Sequence, residues 1–209
     1  MRIGAAARAG RRPAQAGADP AVARRADSDR RLSKLLSLVL RHDPSVVGLG
    51  LDPGGWVDLD ALVEGIRERR PGVTRADVER VVATNDKQRF ALDATRNRIR
   101  ANQGHSLAVD LGLPRRRPPA VLFHGTVAAS LAGILREGLH RRSRHAVHLS
   151  TDQATAARVG ARRGPPAVLR VDAARMHTDG YGFSVSDNGV WLVEAVPPEY
   201  LCIDGSDER

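Results

Sequence analysis

A stretch rich in proline and arginine, residues 113–119, separates two halves of the chain that differ in hydrophobic pattern. It contains Pro114, three consecutive arginines and the pair Pro118-Pro119, a stiff and exposed composition typical of a linker. Apolar residues before this stretch recur at helical spacing, whereas those after it form short runs of strand length. The pattern predicts two lobes, and 209 residues with 42% apolar content are enough to bury a core.

The first half predicts three helices, a short strand and a hairpin, which is the element order of a winged helix. A run of leucines at helical spacing marks the first helix, which must end at Asp43-Pro44 because the residue before a proline disfavours the helical conformation. Asp58 and Thr74 are placed to cap the second and third helices. Phe90 and Leu92 then face Ile99 across a polar turn, which indicates the hairpin.

The second half predicts a lobe of short strands with two helices. Apolar runs of strand length occur at 121–123, 147–149, 167–171, 190–193 and 201–203. One helix is expected around Leu131 to Leu135, closed by Gly138, and another over 153–161. No G-x-G-x-x-G motif is present, so a Rossmann dinucleotide site is not expected. The chain as a whole therefore predicts an α+β fold.

Charge and composition restrict the class of partner and the compartment. Thirty-three Lys and Arg against 24 Asp and Glu give a net charge of +9, as expected for a protein that binds a polyanion, although an arginine-rich codon bias would produce part of the same excess. Cys202 is the only cysteine, which excludes an intrachain disulfide and fits a reducing, cytoplasmic setting. No apolar run is long enough to span a bilayer. Residues 1–27, rich in Ala, Gly and Arg, predict a disordered basic tail.

Four short clusters place cations or imidazoles beside turn residues. They are Arg41-His42, Asn85 to Phe90, His124-Gly125-Thr126 and Ser143 to Ser150. Each has an ordinary structural explanation when taken alone, because a cation at a helix C-terminus complements the helix dipole and a histidine beside an apolar strand can be a core residue. Lys87 and Arg89 flank the expected hairpin and can simply be solvated.

Taken together and in order, the clusters resemble the RNA 2′-phosphotransferase family of the KptA type from about Leu32 to Ile203. The segments that carry the resemblance are Leu32-Ser33-Lys34, Leu40-Arg41-His42, Asn85 to Phe90, Gln103-Gly104-His105-Ser106, His124-Gly125-Thr126, Val147-His148-Leu149-Ser150 and Asn188 to Leu192. The resemblance implies an N-terminal winged helix followed by a reduced ADP-ribosyltransferase-like β-sheet lobe. We therefore expect a tail at 1–27, an RNA-binding lobe at 28–112, a linker at 113–119 and an NAD-binding lobe at 120–209.

The resemblance also implies which residues form the site. The essential Arg-His-Arg-Arg set of the family falls on Arg41, His42, Arg89 and Arg144. The residues expected to contact NAD are His124, Gly125, Thr126, His148 and Ser150. Lys87 and Arg100 are predicted to bind RNA. The position at which protein-modifying ADP-ribosyltransferases carry a glutamate falls on Val190, with Glu194 as a conceivable substitute.

The activity implied by the resemblance is NAD-dependent removal of an internal RNA 2′-phosphate of the kind left by tRNA splicing. The 2′-phosphate attacks NAD and releases nicotinamide, and a transesterification then gives RNA with a 2′-hydroxyl and ADP-ribose 1″,2″-cyclic phosphate. Planar, permanently charged guanidinium groups suit the gripping of phosphate oxygens, and His42 is hypothesised to move a proton or hold a phosphate oxygen. The expected partners are NAD and a tRNA-like RNA, for a monomer that uses no metal.

Two other functions remain open at this stage. One is an ADP-ribosyltransferase that caps phosphorylated RNA or DNA ends, or modifies protein, without a second step. The other is a non-catalytic winged-helix module that binds nucleic acid by charge alone. Such a module has no need for Arg144, His124 and Thr126 together, which favours an enzyme.

Overall fold

The computed structural model describes residues 19–162 and 164–204, and it has a mixed α/β fold with small antiparallel sheets. The first half contains helices α1 (Pro20–Val39), α2 (Leu59–Arg69) and α3 (Arg75–Ala83) and strands β1 (Trp56–Asp58), β2 (Phe90–Asp93) and β3 (Arg98–Ala101). The strands form one antiparallel sheet in the order β1-β3-β2. The predicted helices, short strand and hairpin of this half are confirmed.

Side-chain caps explain where these helices begin. The carboxylate of Asp58 accepts a hydrogen bond from the amide of Ala61, and Thr74 with Asp77 forms a reciprocal capping box at the start of α3. The same device starts α1 earlier than predicted, because Asp19 caps the helix and Pro20 occupies its first position. Residues 20–27, which we assigned to a disordered tail, are therefore helical, and residues 1–18 lie outside the described part of the chain.

The second half is built from eight strands and three helices among the described residues. The strands are β4 (Val121–Val127), β5 (Leu139–His140), β6 (Val147–Leu149), β7 (Pro166–Asp172), β8 (Ser184–Val185), β9 (Trp191–Val193), β10 (Ala195–Val196) and β11 (Leu201–Ile203). The helices are α4 (Leu131–Glu137), α5 (Gln153–Gly160) and α6 (Ala173–Thr178). Two three-stranded sheets, β11-β7-β4 and β6-β9-β8, account for most of the lobe, and β5 pairs with β10.

Each half buries its own apolar cluster. The first cluster joins α1, α2, α3 and the hairpin through residues such as Leu36, Ile66 and Ile99, all of which are fully buried. The second joins the two larger sheets through residues such as Leu169 and Phe183. Burial of these side chains stabilises each half by about 1.5–3 kcal/mol per large residue before the entropy of folding is subtracted.

The two larger sheets of the second half meet at the start of β4. The backbone groups of Phe123 and Ser150 exchange two hydrogen bonds of 2.8 Å, so the end of β6 lies against β4 one residue before His124. Helix α5 packs on the next part of β4 with almost no space between the backbones. A Cβ atom on Gly125 would lie 1.7 Å from the carbonyl oxygen of Ala156, so only glycine permits this approach.

The stretch that we predicted as a linker makes backbone contacts with the second half. The amide of Arg116 donates to the carbonyl of Phe183 at 2.8 Å, and Arg115 forms a β-bridge with Ser184. The stretch is exposed as predicted at most of its positions, but its middle is held against Phe183 and Ser184 at the start of β8. Within the described residues, no helix is long and apolar enough to cross a membrane.

Candidate active site

Arg41 and His42 follow the end of α1, in the turn that Asp43-Pro44 imposes. The amide of His42 still donates to the carbonyl of Leu38 at 2.9 Å, so the turn continues the helical path by one step. The guanidinium of Arg41 points inward and its Nη2 donates to the backbone carbonyl of Arg89 at 3.4 Å. This contact brings the end of α1 to the start of the hairpin.

Arg89 is held by a turn that Asn85 organises. The side-chain oxygen of Asn85 accepts hydrogen bonds from the amide and from Nη1 of Arg89, at 3.4 and 3.3 Å. Its nitrogen donates to the hydroxyl of Ser33 on α1 at 3.2 Å. Asn102 holds the other side of the turn. Its side-chain nitrogen donates to the carbonyl of Gln88 at 2.6 Å, and its backbone amide donates to the carbonyl of Arg89 at 2.9 Å. Ser33 and Asn85, which belong to segments that carry the resemblance, thus orient Arg89.

Arg144 reaches the same region from the second half, in the loop before β6. Its Nη1 lies 3.4 Å from Nδ1 of His148. A guanidinium can only donate, so this contact is a hydrogen bond when Nδ1 of His148 is the unprotonated nitrogen. Nε2 of His148 is buried and has no hydrogen-bond partner among the described residues. A buried polar nitrogen without a partner is costly, and a polar group of a ligand would satisfy it.

The strand β4 brings the remaining predicted residues to His148. Nδ1 of His124 lies 3.1 Å from the backbone carbonyl of His148 and donates to it when Nδ1 carries the proton. This hydrogen bond fixes the ring of His124 and does not involve its Nε2. Ser150 lies beside it through the backbone pairing with Phe123. Gly125 and Thr126 follow on β4, where the structure gives Gly125 a packing role against α5.

The cluster carries a concentrated positive charge. Burial, followed by the charges of Arg89 and Arg144, lowers the pKa of Arg41 to about 10. Every charged group that shifts this pKa is itself a cation, and Nε of Arg41 is buried without a hydrogen-bond partner among the described residues. Burial and the charges of Arg41 and Arg144 also lower the pKa of His42. Cations held together against their own repulsion form an anion-binding arrangement.

The histidines of the cleft are neutral for the same reason. Burial lowers the pKa of His148 to about 3, with Arg144 and Arg41 contributing. Burial also lowers the pKa of His124, and Arg144 adds to this effect, whereas the hydrogen bond to His148 opposes it. Neutral imidazoles offer one donor and one acceptor each, which suits the binding of a neutral or polar part of a ligand.

The two residues predicted to bind RNA have different surroundings. Lys87 is exposed, and its pKa is lowered first by the partial burial of its ammonium group and then by the charges of Arg162, Arg89 and Arg158. The cations in and just after α5 therefore lie near those of the turn between α3 and β2. Arg100 stacks over Trp56 at 4.6 Å and reaches Asp187 of the second half at 3.5 Å. These contacts give Arg100 a structural task between the halves, while its binding of RNA stays a prediction.

An open cavity of about 640 Å³ lies on the β6-β9-β8 sheet, and Arg41, Arg89 and Arg144 are not among the residues that line it. Leu192 and Ser184 line it, and the strand pairing places both on the same sheet face as His148. Arg141 and His145, from the loop that carries Arg144, line it as well. The volume is in the range of small-molecule sites.

Comparison with known proteins now identifies the family. The family model described as "RNA 2'-phosphotransferase, Tpt1 / KptA family" matches residues 27–195. The chain belongs to this family. A protein of Streptomyces coelicolor named "Probable RNA 2'-phosphotransferase" is 57% identical over 171 residues, which cover 82% of this chain and 93% of that protein. A protein of Rhodopirellula baltica with the same name is 54% identical over 170 residues, covering 81% and 92% of the two chains.

The predicted site residues Arg41, Arg89 and Arg144 act on one another in the structure, and sequence reasoning missed much of what holds them. Asn102 attracted no attention in the sequence, and Gln103 to Ser106 carried the resemblance without an assigned role. Ser106 contacts both His42 and the carbonyl of Arg41. Such a contact joins residues 64 positions apart, and only the folded backbone reveals it.

Proposed function

We propose that this protein removes an internal 2′-phosphate from RNA by transferring it to the ADP-ribose part of NAD, with nicotinamide, 2′-hydroxyl RNA and ADP-ribose 1″,2″-cyclic phosphate as products. The observation that carries the proposal is the convergence of Arg41 and Arg89 from one half and Arg144 from the other. Membership of the RNA 2′-phosphotransferase family supports the RNA substrate and the group transferred.

In this proposal the first half is a winged helix that presents RNA and the second half is a reduced ADP-ribosyltransferase lobe that binds NAD. The three-helix and hairpin order of the first half and the two small sheets of the second support this assignment. The partnerless Nε2 of His148 and the neutral ring of His124 fit a dinucleotide, because they offer hydrogen-bonding groups without adding charge. His124, Gly125, Thr126, His148 and Ser150 would hold it.

NAD, when bound, supplies an electrophilic ribose carbon and a neutral leaving group. The chain itself supplies position and charge. Arg41, Arg89 and Arg144 grip the oxygens of the RNA phosphate and stay charged throughout, which stabilises the transferring group in both steps. A phosphate dianion needs no base to become a nucleophile. His42 is neutral in the free protein, and a bound dianion opposes the cations around it and raises its pKa, so that it can take up a proton.

The proposal is tested with an oligoribonucleotide that carries one internal 2′-phosphate. We expect loss of that phosphate only when NAD is present, with a cyclic phosphate of ADP-ribose as coproduct. The matched substrate with a 2′-hydroxyl should give neither product. Dephosphorylation without NAD would refute the proposal, and stable ADP-ribosylated RNA would indicate an end-capping ADP-ribosyltransferase instead.

Variants from both halves test the convergence itself. Arg89→Ala and Arg144→Ala should each reduce the rate by about 100-fold or more, because each removes a charge-assisted contact to the transferring phosphate. Arg136→Ala is the matched control, since that exposed guanidinium pairs with Glu137 on α4. Full activity in either Arg89→Ala or Arg144→Ala would exclude a shared phosphate site.

A further inference from the structure

The segment Gln103 to Ser106 wraps around the residues that follow α1. The amide of Ser106 donates to the carbonyl of Arg41 at 2.9 Å, which ties the segment to the turn. Gly104 lies against the guanidinium of Arg41, and its φ of +88° is one that glycine adopts without strain. His105 points into the protein with 1% of its surface exposed, whereas Ser106 faces the solvent side. The segment is therefore anchored at three consecutive residues.

The hydroxyl of Ser106 lies between two groups of the site. Its Oγ is 3.0 Å from Nδ1 of His42 and 3.4 Å from the carbonyl oxygen of Arg41. A hydroxyl has one proton, and a carbonyl can only accept. If the hydroxyl donates to Arg41, it accepts from Nδ1–H of His42 and both contacts are hydrogen bonds. If it donates to Nδ1 instead, its contact with the carbonyl is lost.

We propose that Ser106 is a positioning residue that holds the proton of neutral His42 on Nδ1 and leaves Nε2 as the atom that faces the substrate. With this tautomer the hydroxyl of Ser106 accepts from Nδ1–H of His42 and donates to the carbonyl of Arg41. This arrangement persists when the ring is protonated, because Nδ1–H still donates to Oγ while Nε2–H becomes available to a phosphate oxygen.

The catalytic consequence rests on the proposed function. Nε2 takes up the proton released by the hydroxyl that attacks phosphorus in the second step. The RNA 2′-oxygen leaves from the opposite side of phosphorus and takes its proton from water, and His42 afterwards releases its own proton to solvent. Nδ1 keeps its proton throughout. A ring with the opposite tautomer would present a donor where an acceptor is needed for the transfer to Nε2.

The tautomer is measured without any substrate, by nitrogen-15 NMR of the imidazole rings at a pH where His42 is neutral. The signals of His42 are assigned from their absence in His42→Gln. We expect Nδ1 protonated and Nε2 unprotonated in the parent protein and in Ser106→Thr, and a shift toward protonated Nε2 in Ser106→Ala. Protonated Nε2 in the parent protein, or a tautomer unchanged in Ser106→Ala, would overturn the proposal.

Kinetics test whether the tautomer matters. Ser106→Ala should lower kcat by about tenfold with little change in the KM for NAD, because one hydrogen bond to His42 is lost. Ser106→Thr keeps the hydroxyl and should have the kcat of the parent protein. Ser37→Ala is the matched control, because the hydroxyl of Ser37 donates to the backbone carbonyl of Ser33 within α1. In the His42→Ala background, Ser106→Ala should have no further effect. An equal loss in both backgrounds would reduce Ser106 to a structural residue.

These outcomes separate the two proposals. A parent protein that shows no NAD-dependent dephosphorylation contradicts the proposed function, whatever the NMR spectra show. An active parent protein with an unchanged tautomer in Ser106→Ala contradicts only the role of Ser106.

Discussion

Arg41 is held where a charge is unfavourable. Its guanidinium is partly buried, two further arginines act on it, and its Nε has no hydrogen-bond partner among the described residues. Arg80 offers the opposite case on α3, where the guanidinium lies 2.8 Å from Asp29 and 2.6 Å from Asp77. Residues that conflict with stability in this way are typical of functional sites.

Arg41→Gln should therefore separate activity from stability. We expect the transfer rate to fall by about 100-fold or more, because a phosphate contact is lost. The melting temperature should stay the same or rise, because repulsion and desolvation are relieved. Arg80→Gln is the control and should lower the free energy of unfolding by about 1–3 kcal/mol with the rate preserved. A large loss of stability in Arg41→Gln would show that its positive charge supports the fold.

Two buried histidines make stability depend on pH in a defined window. Burial lowers the pKa of His105 to about 4 and that of His148 to about 3, from an ordinary value of 6.5. Below pH 6.5 the unfolded chain takes up protons that the folded protein does not. The free energy of unfolding is therefore highest, as far as these two histidines are concerned, above pH 6.5. It falls as the pH decreases toward the pKa values of the folded protein.

The free energy of unfolding should thus fall between pH 6.5 and 5, by at most about 1.4 kcal/mol per pH unit for each histidine. Urea titrations at several pH values measure the slope. His105→Gln should flatten it, because the residue no longer titrates, and His177→Gln on α6 is the matched control. If His105→Gln lowered stability but left the slope unchanged, the assigned origin of the pH dependence would be wrong.

At the scale of elements, the junction of β4 and α5 positions the site. Gly125 and Gly160 both let the two backbones approach, since a Cβ on Gly160 would lie 2.3 Å from the carbonyl of Thr126. His124 precedes this junction directly, so the close packing sets where its ring meets β6. Gly125 in the motif His124-Gly125-Thr126 is therefore required for the packing of α5 on β4.

Gly125→Ala should displace α5 and destabilise the protein by about 3 kcal/mol or more, because the Ala156 carbonyl is backbone and cannot move aside alone. Gly133→Ala in α4 is the matched control, because nothing lies within 4 Å of the added atom, and it should be neutral or stabilising by up to about 1 kcal/mol. Urea unfolding measures both. Equal stability of the two variants would contradict the backbone-to-backbone contact.

The elements were largely predictable from local signals, whereas their assembly was not. Asp58, Thr74 and the polar turn before Ile99 act on near neighbours, so capping and turn chemistry placed them correctly. The start of α1 was missed because composition was weighed above the cap at Asp19 and Pro20. The pairing of Phe123 with Ser150 depends on how two sheets meet, and no local pattern encodes that.

The site shows the same division. Arg41, Arg89 and Arg144 were placed by resemblance, because each lies in a recognisable segment. The roles of the residues that orient them escaped prediction, since Asn85 reaches Ser33 on α1 and Ser106 reaches His42 through contacts between distant parts of the chain. Arg100 was predicted to bind RNA, and its contacts with Trp56 and Asp187 join distant parts of the chain that no local pattern connects.

At the scale of the whole molecule, the two halves are joined beside their shared site. The side chain of Asn188 donates to the carbonyl of Lys87 at 2.9 Å, and Arg100 pairs with Asp187. These contacts connect the turn after β8 to strand β3 and to the turn before β2, which carries Arg89. The proposed catalytic set draws on both halves and requires such contacts, because small changes in their relative position would separate the guanidinium groups.

The same junction gathers cations on its outer side, which predicts how RNA binding responds to salt. Lys87, Arg158 and Arg162 are exposed, and the charges of both arginines act on Lys87. If these side chains contact phosphates of the RNA on either side of the 2′-phosphate, binding releases counterions and the affinity falls as salt rises.

Lys87→Ala should then weaken binding of a 2′-phosphorylated oligoribonucleotide and reduce the slope of log affinity against log salt by about 0.7, the value for one phosphate contact on a single strand. Arg67→Ala is the matched control, because that guanidinium pairs with Glu64 on α2 and should leave the slope unchanged. Fluorescence anisotropy between low and physiological salt, without NAD, gives both slopes. A weaker affinity with an unchanged slope would mean that Lys87 acts through the position of Arg89, since Lys87 precedes it in the same turn, and that the outer cations do not hold the RNA backbone.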